Sequence, residues 1–464
     1  MGAAKDIIVA VELGSSAIRA IAGKRQVDGT LQVVAVAIEE NNNCIRNGII
    51  DNLDKTSIAI SRVVKQLDEK LNIQTKRIYI GLSGQSLRTV RNTVIRNFEA
   101  KTLITNGLID SLKDINRGTI YPDAQMLEVV PQEYNVGYRT ISDPVGLQSN
   151  VLEANFANII ARNSLFENIE RCVQNASLEI AEVLISPICL SDALFGNNEK
   201  RSGCALVDIG ADTTTIVVYI NNIMRQLVVI PLGGSNVTSD IASQNVDVEE
   251  AEALKLKYGS AFHDEEEGKQ SNTISISHNR NLDERLLQEI IEARYEEILL
   301  NIWSRIKEYN EKLRFGIMFT GGASRIANLE DAFQKLTNFD KQIRIAKGVP
   351  AGISIADDVC IDAVDSLYTL MALVLKGEPI CAGDPPVKQE AVQTEIDFVD
   401  ERAEENIAVA QEPLEEDESK EEMGKEEDLA EEPKNTSKKK SSLWDNVKKA
   451  WNKVGEMLSE PEDE

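Results

Sequence analysis

The sequence predicts an α/β fold of two similar lobes with a ligand between them, followed by a disordered acidic linker and a lone amphipathic helix. Three observations carry this. Apolar strand-like runs alternate with helical periods through residues 1–383. A unit of strand, Gly-containing turn and three-strand meander near the N-terminus recurs further on, its acids Glu12 and Asp208 lying 196 positions apart. The charge is uneven: net −11 over residues 1–383, −15 over 384–437 and 0 over 438–464, within a total of −26.

In chain order, Ile7–Leu13 is an apolar strand that runs into Gly14-Ser15-Ser16 and a second strand at Ile18–Ala22. A turn at Val27-Asp28-Gly29-Thr30 leads to a third strand, Leu31–Ile38. Ile60, Val63, Val64, Leu67 and Leu71 then recur at helical spacing, and Arg77–Gly81 is the next strand. The second unit repeats the plan: strand Cys204–Ile209, turn Gly210-Ala211-Asp212-Thr213, strand Thr215–Ile220, turn Asn221-Asn222 and strand Met224–Ile230. Hairpins join the first three strands of each sheet and helical crossovers the later ones, so the sheets are mixed. A third element is the strand Phe315–Thr320, which ends in Gly321-Gly322 and leads to a helix over Leu329–Leu336.

The turns point to a phosphate ligand. Backbone N–H groups of a Gly/Ser/Thr turn can cradle phosphate oxygens, and glycine allows close approach. Gly14, Ser15 and Ser16 would grip a polyphosphate from one side, and Gly210, Ala211, Asp212 and Thr213 from the other. Glu12 and Asp208, at the strand ends, could hold Mg²⁺ directly or through its waters. Gly321 and Gly322 would let the backbone approach a nucleobase or α-phosphate. A Walker A sequence is absent, which disfavours a P-loop ATPase.

Residues 384–437 hold 20 acidic and 5 basic residues, with Pro385, Pro386, Pro413 and Pro433 and no sustained apolar period. Such a segment cannot bury enough surface to offset its chain entropy. Beyond it, Leu443, Trp444, Val447, Ala450, Trp451, Val454, Met457 and Leu458 recur at spacings of three and four, forming one face of a helix. Ser441 or Ser442 can cap it, Asp445 sits in its first turn, and Lys448, Lys449 and Lys453 lie towards its polar side. Trp rings and lysines are what an interfacial membrane helix uses. A partner protein or the chain's own body is the alternative occupant for that face. One such helix binds reversibly, and several held together bind by avidity. The linker spans roughly 40 Å as a coil.

Composition excludes several classes. Hydrophobic residues make up 42% of the 464, enough for a real core, and the length suggests about two to four domains. No apolar run approaches the roughly 18 residues of a membrane span, and the start, MGAAKDIIVAVELGSS, lacks the pattern of a secretory signal. Asp6, four residues after Gly2, argues against myristoylation. The only two histidines, His263 and His278, make a His-based metal site or a Ser-His-Asp triad unsuitable readings. Six scattered cysteines without a C-x-x-C read as reduced core thiols of a cytoplasmic protein.

These motifs resemble the superfamily that joins actin, hexokinase and the heat-shock chaperones: VELGSS matches its first phosphate motif, LVDIGADTT its second and MFTGGASRI its adenosine motif. IYIGLSGQSLRTVRN (78–92), IPLGGSNVTSDIA (230–242), AEALKLKYGSA (251–261) and IIEARYEEILLNI (290–302) are similar to the FtsA family of bacterial actin-like cell-division proteins. The resemblance implies an actin-like, ribonuclease H-like fold with five-stranded mixed sheets. It implies subdomain IA at 1–83, 166–202 and 350–383, subdomain 1C at 84–165, IIA at 203–240 and 313–349, and IIB at 241–312. The linker then occupies 384–440 and a membrane-targeting helix 441–458. It implies ATP and Mg²⁺ as ligands, adds Gly233 and Gly234 to the nucleotide site, and places Glu252 and Lys255 towards adenine and ribose. Read by spacing alone, Glu252 and Lys255 are an i,i+3 ion pair. The family's IIB docks the C-terminal peptide of the tubulin-like FtsZ, and Arg294 matches that region; on sequence alone an Arg on a Glu-rich helix is more often an i,i+4 salt-bridge partner. Glu12 stands where the superfamily more often has Asp, which fits weak or slow hydrolysis at most. His263–Asn279, with its DEEEGKQSN run, reads as a long loop in IIB.

The function so implied is structural: an ATP-binding protein that self-associates on the cytoplasmic face of the cell membrane at the mid-cell division ring, tethers FtsZ filaments there and recruits further division proteins. No nucleic acid is expected as partner. The alternatives are an actin-like pilus-assembly protein, or a kinase of the same fold, for which no convincing general-base Asp can be named.

Overall fold

The computed structural model describes residues 6–381, apart from 42, 264–272, 278, 279, 358 and 360–363. The acidic linker and the expected helix with Leu443, Trp444, Val447, Lys448, Trp451, Val454, Met457 and Leu458 lie outside the described residues.

Two mixed sheets organise the body. In the first, Ile7–Leu13, Ala17–Arg25 and Leu31–Glu40 form an antiparallel meander. Arg77–Leu82 and Glu179–Ile185 are added in parallel on the Ile7–Leu13 side. The helix Leu53–Leu71 makes the crossover to Arg77–Leu82. Asn52 caps its start by accepting from Lys55 N at 2.9 Å, and Asn72 ends it in the left-handed conformation at φ 51°. Ile60, Val63, Val64 and Leu67 are buried in the lobe core, as their spacing predicts.

The second sheet repeats the plan with Cys204–Ile209, Thr214–Ile220 and Ile223–Ile230, then Gly316–Thr320 and Ile343–Ile345 in parallel. Cys204–Ile209 is buried on both faces: Val207 and Ile209 pack towards the helix Glu284–Ile306, while Cys204 and Leu206 join the core shared with the first lobe. Trp303, Phe319, Phe333 and Phe339 meet edge to face, with centroids 5.4–6.2 Å apart.

Both five-stranded cores are extended beyond what the sequence suggests. The short strand Ile353–Ile355 pairs with Leu31–Val33 at one edge of the first sheet. At the edge of the second, the Arg88–Val228 pairing continues the sheet into strands Arg88–Leu103, Gln148–Arg162, Ala124–Val136 and Arg139–Ile141. These four strands and the helix Asn106–Arg117 enclose a small core of their own around Leu112, Leu152 and Phe156.

One expectation is corrected. Thr273–Ile276 and Arg280–Asp283, within and just beyond the segment read as a loop, form an antiparallel hairpin. Ile274, Ile276 and Leu282 are buried, a period-two pattern that the preceding acidic run obscures. Among the described residues, no helix is long and apolar enough to cross a membrane.

Leu67 has no solvent exposure, whereas Ile58 on the same helix is 52% exposed. Leu67→Ala therefore destabilises the body by about 2–5 kcal/mol, and Ile58→Ala by less than about 0.5 kcal/mol; chemical denaturation followed by circular dichroism measures both.

Candidate functional site

The hairpin that follows Ile7–Leu13 sets the first turn. Ser15 Oγ accepts from Gly48 N at 3.2 Å, and Ser16 Oγ accepts from Arg19 Nη2 at 3.1 Å. The buried Asn41 amide donates to the carbonyls of Ser15 and Ile45, which ties this turn to the short hairpin Ile45–Ile50. The second turn is closed by Gly210 N donating to Thr213 O at 2.8 Å. Asp212 Oδ2 accepts from Asn47 N at 2.9 Å, a hydrogen bond that runs from the second lobe to the first.

The helix Gly234–Ala242 begins directly against the second turn. Gly234 N donates to Gly210 O at 3.0 Å and Ser235 N to Ala211 O at 2.7 Å. Gly233 makes this approach possible, because a Cβ there would lie 2.4 Å from Ala211 O. In the third turn Gly321 has φ +89°, and a Cβ would lie 2.4 Å from both Asp208 Oδ1 and Ile209 O. Tyr295 OH donates to Ala323 O at 2.8 Å, supporting that turn from the helix Glu284–Ile306.

All three turns open onto one cleft of about 960 Å³. Glu12, Gly14, Ser15, Ser16, Asp208, Gly210, Ala211, Asp212, Thr213, Gly234, Glu252, Lys255, Gly321 and Gly322 all line it. Two residues singled out by the sequence do not. Gly233 lies behind the lining as packing for the second turn. Arg294 lies elsewhere on its lobe, donating from Nε to Asp240 Oδ2 at 2.6 Å and from Nη2 to Asp240 Oδ1 at 2.9 Å, with Glu297 as a second partner.

The Glu252–Lys255 ion pair forms, with Nζ 2.6 Å from Oε2. Lys255 also donates to Thr238 Oγ1 at 2.9 Å and to Gly234 O at 3.1 Å, so this buried ammonium fastens the helix Val248–Tyr258 to the start of Gly234–Ala242. Leu256, one residue on, is 74% exposed at the cleft wall and presents an apolar face to it.

Electrostatically the cleft is poised for a cation. Burial raises the Glu12 carboxyl, against the opposing pull of Arg19 and a hydrogen bond from Thr369. Burial, and then the nearby charge of Glu12, pushes Asp208 up to about 7. Two buried acids raised above their ordinary values are a fitting pair for a divalent ion, which would restore both to the charged form.

Arg19, Tyr295, Thr369 and Leu256 are site residues that the motifs do not reveal. For Arg19 a signal exists: the hairpin register sets it directly opposite Glu12. Its Nε is buried with no hydrogen-bond partner among the described residues.

The family model described as "Cell division protein FtsA" matches residues 205–361, and that of the "SHS2 domain inserted in FTSA" matches 84–160. The cell division protein FtsA of Porphyromonas gingivalis is 30% identical over 344 residues, 71% of each chain. The chain belongs to the FtsA family. It is thus a cell-division protein with an actin-like fold. Family members from Escherichia coli K12 (27% identity, 75% of this chain and 86% of the relative) and Enterococcus hirae (26%, 84% and 91%) are similarly related. Among solved structures, one described as a PilM-PilN type IV pilus biogenesis complex aligns over 79% of this chain and 97% of that chain, with a TM-score of 0.56 and 14% identity. At that identity the likeness concerns the fold alone.

The Asp208 shift gives this family member a pH-dependent stability. Its folded pKa of about 7 lies above the ordinary 3.8. The contribution to stability is therefore full below about pH 4 and lost as pH rises through about 7. In metal- and nucleotide-free buffer, Asp208→Asn raises the melting temperature at about pH 8 and the gain shrinks towards about pH 5; scanning fluorimetry across that range reads it.

Proposed function

We propose that the cleft binds ATP with Mg²⁺ and that nucleotide acts as a conformational and assembly switch. The observation that carries this reading is the convergence of three sequence-distant turns, Gly14–Ser16, Gly210–Thr213 and Gly321–Gly322, on one cleft with two desolvated carboxylates at Glu12 and Asp208. The first two turns supply donors for phosphate oxygens from opposite walls. Gly321 and Gly322 leave room for the nucleoside, with Lys255, Glu252 and Leu256 beside it. Among the described residues no group of three or more His, Cys, Asp or Glu side chains could hold a metal. Mg²⁺ would rest on Glu12 and Asp208, with phosphate and water oxygens completing its shell.

The remainder of the reading concerns assembly. The chain self-associates through its body, and the apolar face of 441–458, with Trp444, Trp451 and Lys448, holds it to the anionic inner face of the cell membrane. Subdomain IIB at 241–312 docks the C-terminal peptide of FtsZ near Arg294, and the body recruits further division proteins. Arg294 is held by Asp240 and Glu297, so an acidic peptide would have to compete with these two carboxylates or share the guanidinium with them. Family membership supports this part, as does the pattern of the tail.

Two measurements test the proposal. Calorimetric titration with ATP–Mg²⁺ gives saturable binding to the native chain. Gly321→Ala, whose Cβ collides with Asp208 and Ile209, weakens it at least about tenfold. Absence of binding to the native chain sinks the nucleotide reading. In flotation with anionic vesicles the native chain rises and the Trp444→Glu/Trp451→Glu variant stays in the dense layer; equal behaviour of the two removes the tail as the anchor.

A further inference from the structure

Residues 84–162 hang covalently from the first lobe, leaving it after Leu82 and rejoining it at the helix Asn163–Asn175. Ile159 and Ala161, at the base of this inserted unit, pack into the first lobe's core. Its polar side chains, however, grip the second lobe. Thr89 Oγ1 accepts from Leu227 N and donates to Leu227 O, each at 3.2 Å, beside the Arg88–Val228 pairing. Gln132 Nε2 donates to Met224 O at 3.0 Å. Arg91 Nη2 donates to Tyr309 OH at 2.9 Å.

The strongest link is Arg225. Its Nη1 lies 2.6 Å from Glu133 Oε2 and 3.0 Å from Gln132 Oε1, and its Nη2 lies 2.5 Å from Glu133 Oε1. The Arg225 side chain is 12% exposed and that of Glu133 35%, so the guanidinium end of this forked pair is the shielded one. A β-bulge aims it. Gln226 opposes Val218 and Met224 opposes Tyr219, which leaves Arg225 as the extra residue without a cross-strand partner in Thr214–Ile220. A bulge that turns a charged side chain away from its paired strand and onto the inserted unit is a built junction.

The junction is in rigid connection with the cleft. The turn Gly210–Thr213 opens directly into Thr214–Ile220, that strand pairs with Ile223–Ile230, and Ile223–Ile230 carries Arg225, Leu227 and Val228. Every step is a hydrogen-bonded strand. We propose that the inserted unit 84–162 is a lever carried by the second lobe, pivoting at its base on the first lobe, with Arg225–Glu133 as the strut that makes its orientation follow the angle between the lobes. Ligand in the cleft thereby re-aims the unit's outer surface without touching it. This rests on the reading that ATP–Mg²⁺ binds the cleft and sets the lobe angle.

The test uses the full chain labelled at Val27→Cys in the first lobe and Tyr138→Cys in the inserted unit, both fully exposed positions, while the described native cysteines are buried. Energy transfer between the two dyes is measured with and without ATP–Mg²⁺, and ATP binding is followed by calorimetry on the same samples. The native chain is expected to bind ATP and to change its transfer efficiency. Arg225→Ala is expected to bind ATP yet lose about half or more of that change, and the exchanged pair Arg225→Glu/Glu133→Arg to recover it. ATP binding with unchanged transfer in the native chain, or a full change in Arg225→Ala, overturns the lever. A loss that the exchanged pair does not restore overturns the strut, because it then reflects general loosening, which the melting temperature records. No ATP binding to the native chain overturns the nucleotide reading, and the lever falls with it.

Discussion

The burial of two acids from opposite lobes, Glu12 and Asp208, at one cleft is the constraint around which the body is arranged. Each sits near the end of the first strand of its meander, one per lobe, and burial, followed by the charge of Glu12, raises Asp208 to about 7. A desolvated carboxylate pair is costly on its own. Arg19, opposite Glu12 in the hairpin, offsets part of that cost on one side. On the other side, burial and the charge of Glu12 both act to raise Asp208. Gly321, whose lack of a side chain lets it stand against Asp208 and Ile209, brings the third turn down onto the same point.

The lobes are joined in ways that differ in stiffness. The apolar core shared through Cys204, Leu206, Val217 and Leu227 forms a continuous packed seam, and packed cores resist gradual deformation. The Asn47–Asp212 hydrogen bond across the cleft is exposed, and can be exchanged for another partner at little cost. A body with a packed seam at one end and a replaceable polar contact at its cleft is suited to hinge motion. The inserted unit lies across this seam, rooted in one lobe and bonded to the other, which makes its position sensitive to the hinge.

Much of the fold was legible because its signals are local. Strand ends at Leu13, Ile209 and Thr320 follow from apolar runs stopped by glycine turns, and the helix Leu53–Leu71 follows from its spacing. The lining of the cleft was legible for the same reason, since Gly/Ser/Thr turns are contiguous in sequence. Three features were not. The packing role of Gly233, which lets Gly234–Ala242 approach the second turn, depends on a contact with Ala211 that no local motif marks. Arg294 finds Asp240, a partner 54 residues away, and such distant charge pairing leaves no periodic trace. The hairpin Thr273–Ile276 with Arg280–Asp283 has alternating apolar residues too few to stand out after an acidic run.

By itself the sequence determined the repeat of two strand–turn–strand units, the residue types of the three turns and the family to which the chain belongs. These depend on short-range chemistry: which residues alternate, which permit a tight turn and which carry charge at a strand end. Only the tertiary structure decided that Arg19, Leu256, Tyr295 and Thr369 meet those turns, that Glu12 adds to the burial that raises Asp208, and that Arg225 reaches from its strand to Glu133 of the inserted unit. Each of these is a contact between residues brought together by sheet register or lobe packing. Their energy depends on burial and distance, quantities that exist only once the chain is closed.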